Sequence, residues 1–311
     1  MDPHVFIVGC ARSGTTLLQR LVDAHPDLSV TPSMHWVRDL FRERGFKRPE
    51  DPVPPTLVSA LVAHPRFSRL GLDPGRVAAL AGPETTHLDL LSGIFGLYGE
   101  ASHKPLVGNK TAPFVRRIPE LHALWPKARF VHIIRDGRDV CLSILDWEST
   151  PGAAGRYSSW GEDPISTTAL WWRRKVLLGR EGGAGIEPGL YRETFYESLV
   201  SDPAGECRRL CDFLGIPYEE AMLRFVERRS DPDLERAHPT MPVTAGLRDW
   251  RAQMPREAVE RFEAVAGDLL EDLGYPLATS PGRATVERAA RMREAFSTEA
   301  GSRGRKLPAG W

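Results

Sequence analysis

Val5-Phe6-Ile7-Val8-Gly9-Cys10-Ala11-Arg12-Ser13-Gly14-Thr15-Thr16-Leu17-Leu18 joins an apolar run to a glycine-bounded turn and then to a helical pattern. Four consecutive apolar residues before a glycine read as a short strand buried on both faces. Leu17, Leu18, Leu21 and Val22 then recur at helical spacing until His25-Pro26 ends the run. Gly9 and Gly14 let the turn approach a ligand closely. Successive N–H groups, backed by the positive end of the helix that starts near Gly14, form a nest for anionic oxygens. The nucleoside-triphosphatase pattern sets Lys before its last Ser/Thr, and Thr15 stands there instead. Arg12 supplies the cation earlier in the turn, where a guanidinium fork can grip a phosphate. A chance glycine-rich turn is the alternative.

The same strand-then-helix order repeats outward from this stretch. Phe130-Val131-His132-Ile133-Ile134 reads as a second strand, preceded by a helix carrying Ile118, Leu121, Leu124 and Trp125. A helix through Val140, Ser143, Ile144 and Trp147 comes after it. Leu106-Val107-Gly108 is a shorter strand, and another near residues 190–195 precedes a helix bearing Cys207, Leu210, Cys211 and Leu214. Val259, Phe262, Ala266, Leu269, Leu270 and Leu273 form a strongly periodic helix closed by Gly274 and Pro276. Alternation of this kind predicts an α/β fold: a P-loop-like, three-layer arrangement with a mostly parallel central sheet flanked by helices. Ligands of such sheets bind beyond the carboxyl ends of the strands, which directs attention to the segments just after Val8, Gly108 and Ile134. One domain is expected over residues 1–278, succeeded over 279–311 by a helix through Val286, Ala290, Arg293 and Ala295 and a flexible tail that frays from Gly301. Less regular stretches at 48–55 and 149–164 could border an acceptor site, although most such loops are only solvated connections.

With 41% hydrophobic residues in 311, the chain can bury a full core, which excludes wholesale disorder. Lys and Arg number 41 against 41 Asp and Glu, which argues against a general nucleic-acid binder and makes any anion site local. No apolar stretch approaches the roughly 20 residues of a spanning helix, and no charged leader precedes an apolar segment. The expectation is a soluble cytoplasmic protein without a transmembrane segment, with homo-oligomerisation left open. Cys10, Cys141, Cys207 and Cys211 make no disulfide framework and suit a reducing compartment. Cys207 and Cys211 lie four apart on a helix, yet no second Cys/His pair accompanies them, so they read as buried small side chains and no metal is expected. Trp171-Trp172-Arg173-Arg174 reads as a helix with a core face and a surface face, base stacking being the alternative.

Directly after the second strand comes Arg135-Asp136-Gly137-Arg138-Asp139-Val140-Cys141-Leu142-Ser143. Alone, such charges more often form surface ion pairs than a site. Arg135 and Ser143 can serve one phosphate only if the chain folds back between them.

The two loops together resemble those of sulfotransferases that use 3′-phosphoadenylyl sulfate (PAPS). Ala11-Arg12-Ser13-Gly14-Thr15-Thr16 is similar to their 5′-phosphosulfate loop, and Arg135 with Ser143 to their 3′-phosphate motif. Asp23-Ala24-His25-Pro26-Asp27, Gly108-Asn109-Lys110-Thr111, Tyr196-Glu197-Ser198-Leu199-Val200 and Leu247-Arg248-Asp249-Trp250 occur in the same order, as in the tyrosylprotein branch and many bacterial members. The resemblance spans roughly residues 5–276 and rests on the ordered set, each motif being weak alone.

The resemblance implies transfer of a sulfuryl group from PAPS to a hydroxyl, leaving adenosine 3′,5′-bisphosphate, without a metal. It implies that Arg12, Ser13, Gly14, Thr15 and Thr16 hold the 5′ end, that Arg135 and Ser143 hold the 3′-phosphate, and that Tyr196 contacts the nucleotide base or 3′-phosphate, a core tyrosine at a strand end being the alternative. Lys110 takes the role of stabilising the leaving oxygen; the other lysines are Lys47, Lys104, Lys127, Lys175 and Lys306. Relatives place a glutamate base where Ser33 stands, and His35, with an ordinary pKa of about 6.5, is the neighbouring candidate. His35 as a packing or acceptor-binding residue stays open, and Asp39 and Glu43 match nothing specific. Met241 occupies the neighbourhood of a late basic residue, for which Arg248 or Arg251 are the substitutes. Composition rich in Arg, Ala, Gly and Pro leans towards a bacterial enzyme acting on a small molecule, glycolipid or natural product. The rivals are a nucleotide or metabolite kinase and a catalytically silent relative that binds the nucleotide.

Overall fold

The computed structural model describes residues 1–37, 48–146, 154–227 and 248–311. Asp39, Glu43, Trp147, Met241 and Leu247 lie outside the described residues. Five strands form one sheet: β1 (Val5–Gly9), β2 (Leu28–Thr31), β3 (Leu106–Lys110), β4 (Arg129–Ile134) and β5 (Tyr191–Phe195), in the order β2-β3-β1-β4-β5. The β1–β3 and β2–β3 pairs are parallel, with Ile7 opposite Lys110 and Thr31 opposite Asn109. Among the described residues the α-helices are α1 (Thr15–Asp23), α2 (Pro55–Ala63), α3 (Pro74–Ala78), α4 (His87–Ala101), α5 (Ile118–Leu124), α6 (Gly137–Leu145), α7 (Pro164–Ala184), α8 (Tyr196–Ser201), α9 (Pro203–Leu214), α10 (Trp250–Gln253), α11 (Arg256–Asp272) and α12 (Arg283–Ser302).

The strand order fixes where a ligand can sit. From β1 the chain crosses to β2 on one side of the sheet, and from β4 it continues to β5 on the other. Connections diverging from neighbouring strands open a crevice beyond their carboxyl ends. The residues that leave β1 and β4 there are the glycine turn and Arg135.

Two compact units make up the chain. One comprises Met1–Val8, Gly14–Ile133 and Gly182–Val243, and the other Gly9–Ser13, Ile134–Glu181 and Thr244–Trp311. In the first, strand periodicity sends alternate side chains to opposite faces. Phe6 and Val8 join a core with Leu57, Leu61, Ile94, Phe95 and Trp125, while Val5 and Ile7 join Leu18, Leu21, Val131, Ile133, Cys207 and Leu210. Both faces are thus covered, as an apolar run without polar alternation requires. Phe6 stacks on Phe130 at 5.4 Å and meets Trp125 at 5.6 Å. Burial pushes the Cys207 thiol up to about 12 and the Cys211 thiol to about 11.

The second unit is built around α7, whose Trp171, Trp172, Arg173 and Arg174 are all buried. The surface face expected for the two arginines is corrected here: each guanidinium finds partners that the local sequence does not contain. Arg173 is bidentate to Asp268 of α11, and Arg174 donates to the carbonyl of Lys306. The end of the chain is tied down where fraying is expected. Arg173 also donates to the Gly310 carbonyl (3.2 Å), and Trp311 stacks on Phe296, which stacks on Tyr157 at 4.0 Å.

Candidate active site

Arg12, Ser13, Arg135 and Ser143 come together in the second unit. The turn leaving β1 is closed by the Ser13 N–H on the Cys10 carbonyl (3.3 Å), and it holds Arg12 at φ +72°. A left-handed backbone is uncommon outside glycine, and here it accompanies the tight curl of the turn. Beyond β4, Asp136 caps α6 by accepting the Arg138 N–H (2.9 Å), so the chain reverses at once. That reversal brings Ser143 to Arg12: Arg12 Nε donates to Ser143 Oγ at 2.9 Å, while Arg135 Nη1 reaches the Arg12 carbonyl at 3.5 Å. The Arg12 guanidinium, expected at the 5′ end, therefore links that loop to the residues read as the 3′-phosphate pair.

The electrostatics call for an anion. Burial first, then the like charges of Arg135 and Arg248, push the Arg12 pKa below the ordinary guanidinium value. Arg135 and Arg248 in turn each pair with a carboxylate, Asp139 (3.4 Å) and Asp146 (3.0 Å) respectively. Arg248 is thus the late basic residue with an electrostatic reach to the turn, whereas the Arg251 guanidinium lies over the Trp250 ring, 4.5 Å from its centroid. Ser13 adds an independent sign. It is fully buried, and its Oγ has no hydrogen-bond partner among the described residues. An orphaned buried hydroxyl costs about 1–3 kcal/mol, which an oxyanion in the turn would remove.

Arg135 is held from three sides. The buried Trp172 indole donates to its carbonyl (3.1 Å), the Arg12 carbonyl takes Nη1, and Asp139 takes Nη2. Trp172 comes so close that a Cβ on Gly137 would lie 2.6 Å from its ring. The sequence reads Trp172 as part of a helix with a core face and Asp139 as one of several charges, and the four-residue step from Arg135 is a signal for pairing the two.

The remaining candidates belong to the first unit. Gly14, Thr15 and Thr16 open α1, with Gly14 as its cap at φ +89° and no side-chain cap on the first-turn N–H groups. The Tyr196 ring packs on Gly14 so closely that an added Cβ would stand 2.4 Å from Tyr196 Cδ2. Lys110 ends β3. The next residue, Thr111, donates its N–H to Ile7 (3.2 Å) and accepts the Met34 N–H on Oγ1 (3.0 Å), which clamps the Lys110 and His35 segments side by side. His35 Nδ1 faces Ser33 Oγ at 3.1 Å, and Arg66 Nη1 meets Nε2 at 2.6 Å. A guanidinium can only donate, so Nε2 presents its lone pair to Arg66 and the ring proton sits on Nδ1, towards Ser33. Arg66 lies in the stretch His64-Pro65-Arg66 and carried no motif that would have singled it out. Among the described residues, no three His, Cys, Asp or Glu side chains gather as a metal would require.

A family model described as the sulfotransferase family matches residues 3–220. The chain belongs to the sulfotransferase family. This sulfotransferase is 24% identical over 295 residues to protein-tyrosine sulfotransferase A of Caenorhabditis elegans, covering 90% of its own length and 69% of the relative's. With the Drosophila melanogaster protein-tyrosine sulfotransferase it shares 23% over 300 residues, covering 90% of itself but only 53% of that longer protein. The fold of the sulfotransferase domain from the Synechococcus PCC 7002 olefin synthase superimposes with a TM-score of 0.64 at 22% identity, over 89% of this chain and 96% of that one. Mouse sulfotransferase SULT7A1, solved in complex with PAP, superimposes at 0.50 and 13% identity, over 96% and 90%. The relatives from animals among these lend no support to the bacterial expectation drawn from composition.

Proposed function

We propose that this sulfotransferase uses PAPS as its donor and modifies a hydroxyl, the first acceptor to test being a tyrosine side chain within a peptide. The observation that carries the donor assignment is the meeting of Arg135 and Ser143 on Arg12, beside the orphaned Ser13 hydroxyl. A phosphate at each end of one nucleotide suits a cationic cluster larger than a single 5′-phosphate needs, and the complex of mouse SULT7A1 with PAP agrees in kind. The acceptor assignment draws on the names of the protein-tyrosine sulfotransferases it is similar to. Those names favour a tyrosyl hydroxyl over the metabolite, glycolipid or natural-product acceptor expected from composition.

PAPS, when bound, supplies a sulfuryl group on a phosphate leaving group. On this reading Arg135 and Ser143 bind the 3′-phosphate, and Arg12 with Ser13, Gly14, Thr15 and Thr16 binds the 5′ end. Tyr196, whose ring packs on Gly14, is the residue of the first unit assigned a contact with the nucleotide. Lys110 offers an ammonium to the oxygen on which negative charge develops as the S–O bond breaks. His35 Nε2 accepts the proton of the acceptor hydroxyl as the new O–S bond forms, which requires Arg66 first to withdraw from that nitrogen.

The test is label transfer from ³⁵S-PAPS, with chelator present, to a tyrosine-containing peptide, a simple phenol and an aliphatic alcohol. Label on the peptide supports the whole reading. Label only on the alcohol or the free phenol moves the acceptor class and leaves the donor intact. No label on any acceptor, despite tight bisphosphate binding, favours the silent relative. His35→Ala is expected to lower kcat by about 10²-fold or more, as loss of a general base does; unchanged turnover would remove His35 from that role.

A further inference from the structure

Asp139 poses a physical problem. It sits one helical turn beyond Arg135 with its carboxylate 3.4 Å from the guanidinium, and its side chain is only 13% exposed. A fixed negative charge beside a phosphate-binding cation opposes the phosphate by like-charge repulsion. A surface ion pair would explain nothing, because Asp139 is not free to swing. Its Oδ1 accepts the Trp250 backbone N–H at 2.9 Å, leaving Oδ2 to Arg135 Nη2.

Trp250 is itself immobilised. Its indole N–H donates to Asp136 Oδ2 (3.0 Å), and its ring carries the Arg138 guanidinium at 3.7 Å from the centroid. Arg138 is fully buried and binds both Asp136 and Glu263. Asp139 thus joins Arg135 to a buried, anchored network of Trp250, Asp136, Arg138 and Glu263. A guanidinium has several rotamers available, and holding one of them ready before the ligand arrives removes an ordering cost from binding.

We propose that Asp139 is a positioning residue that aims Arg135 at the nucleotide's 3′-phosphate, and so sets the preference for nucleotides phosphorylated there over those that are not. This rests on the assignment of PAPS as donor. The like-charge penalty of Asp139 is outweighed by the fixed geometry it gives Arg135.

The test is calorimetric binding of adenosine 3′,5′-bisphosphate and of adenosine 5′-phosphate to the full chain, wild type and Asp139→Asn. Asparagine keeps an oxygen for the Trp250 N–H and removes the ionic hold on Arg135. Expected is a loss of about tenfold for the bisphosphate with little change for the monophosphate, and a raised KM for PAPS at nearly constant kcat. An Asn variant that binds the bisphosphate as well as or better than wild type overturns the proposal, since Asp139 would then be only a repulsive charge. Equal losses for both ligands overturn it too, because they signal general damage. Asp139→Ala, read alongside thermal melts, separates the anchoring at Trp250 from the aiming of Arg135: it must lose at least as much bisphosphate selectivity as Asn, and retained selectivity contradicts the proposal. A wild type that shows no preference for the bisphosphate brings down the donor assignment, and this inference with it.

Discussion

Arg135 and Ser143 test the site residue by residue. A charge-assisted hydrogen bond to an anion is worth about 1.5–3 kcal/mol, and a neutral hydroxyl contact about 0.5–1.5 kcal/mol. Arg135→Ala is accordingly expected to weaken adenosine 3′,5′-bisphosphate by roughly 10- to 100-fold, and Ser143→Ala by up to about tenfold, both read by calorimetry. Equal affinities in wild type and the Arg135 variant would remove the 3′-phosphate role. Gly14 carries a different constraint. With φ at +89° and Tyr196 Cδ2 2.4 Å from any Cβ, Gly14→Ala is expected to cost about 2 kcal/mol or more in a urea melt. The glycine turn, Arg135 and Ser143 are candidates on the sequence alone because the chemistry proposed for them is carried by residue type and order. The contact from Arg12 to Ser143 was not legible there, since it depends on how sharply Asp136 turns the chain into α6. The lock of Arg66 on His35 was hidden for the same reason: the two residues meet only through the fold.

Elements were readable where their periodicity was long. β1, β4, α1 and α11 fall where the apolar repeats put them, whereas β2 went unnoticed because Leu28–Thr31 is four residues with polar alternation, next to Pro26 and Asp27. α7 shows the opposite limit. Its arginines read as surface residues, yet their partners come from Asp268 and from the backbone at Lys306 and Gly310. The link between α6 and α11 gives a testable magnitude. Arg138, Asp136 and Glu263 form an ion network closed to solvent, and Glu263 also accepts the N–H groups of Ala278 and Thr279. Removing one member of such a network strands a buried charge, so Glu263→Ala is expected to destabilise the protein by about 3–5 kcal/mol in denaturant unfolding. A loss below about 1 kcal/mol would mean that water already compensates Arg138.

At the scale of the molecule, the α/β class and the parallel sheet emerged from alternation alone, but the strand order did not. That order makes β1 and β4 neighbours, so the turn after one and Arg135 after the other leave adjacent strands. The docked end of the chain was equally out of reach, because Trp311 and the Gly310 carbonyl find their partners on α12 and α7. Trp311→Ala removes a stacked ring and the hydrogen bond to Ser297 Oγ (2.7 Å), with an expected loss of about 2–3 kcal/mol in a thermal or urea melt. An unchanged melt would show that the tail adds nothing to stability.

On the proposed reading, Arg12 and Arg135 together accommodate a nucleotide phosphorylated at both ends. Titration calorimetry of the full chain with adenosine 3′,5′-bisphosphate in chelator, against ATP with magnesium, addresses it directly. Tight bisphosphate binding that needs no metal, with ATP at least about tenfold weaker, is the predicted result. Tight ATP binding with no measurable affinity for the bisphosphate would contradict it.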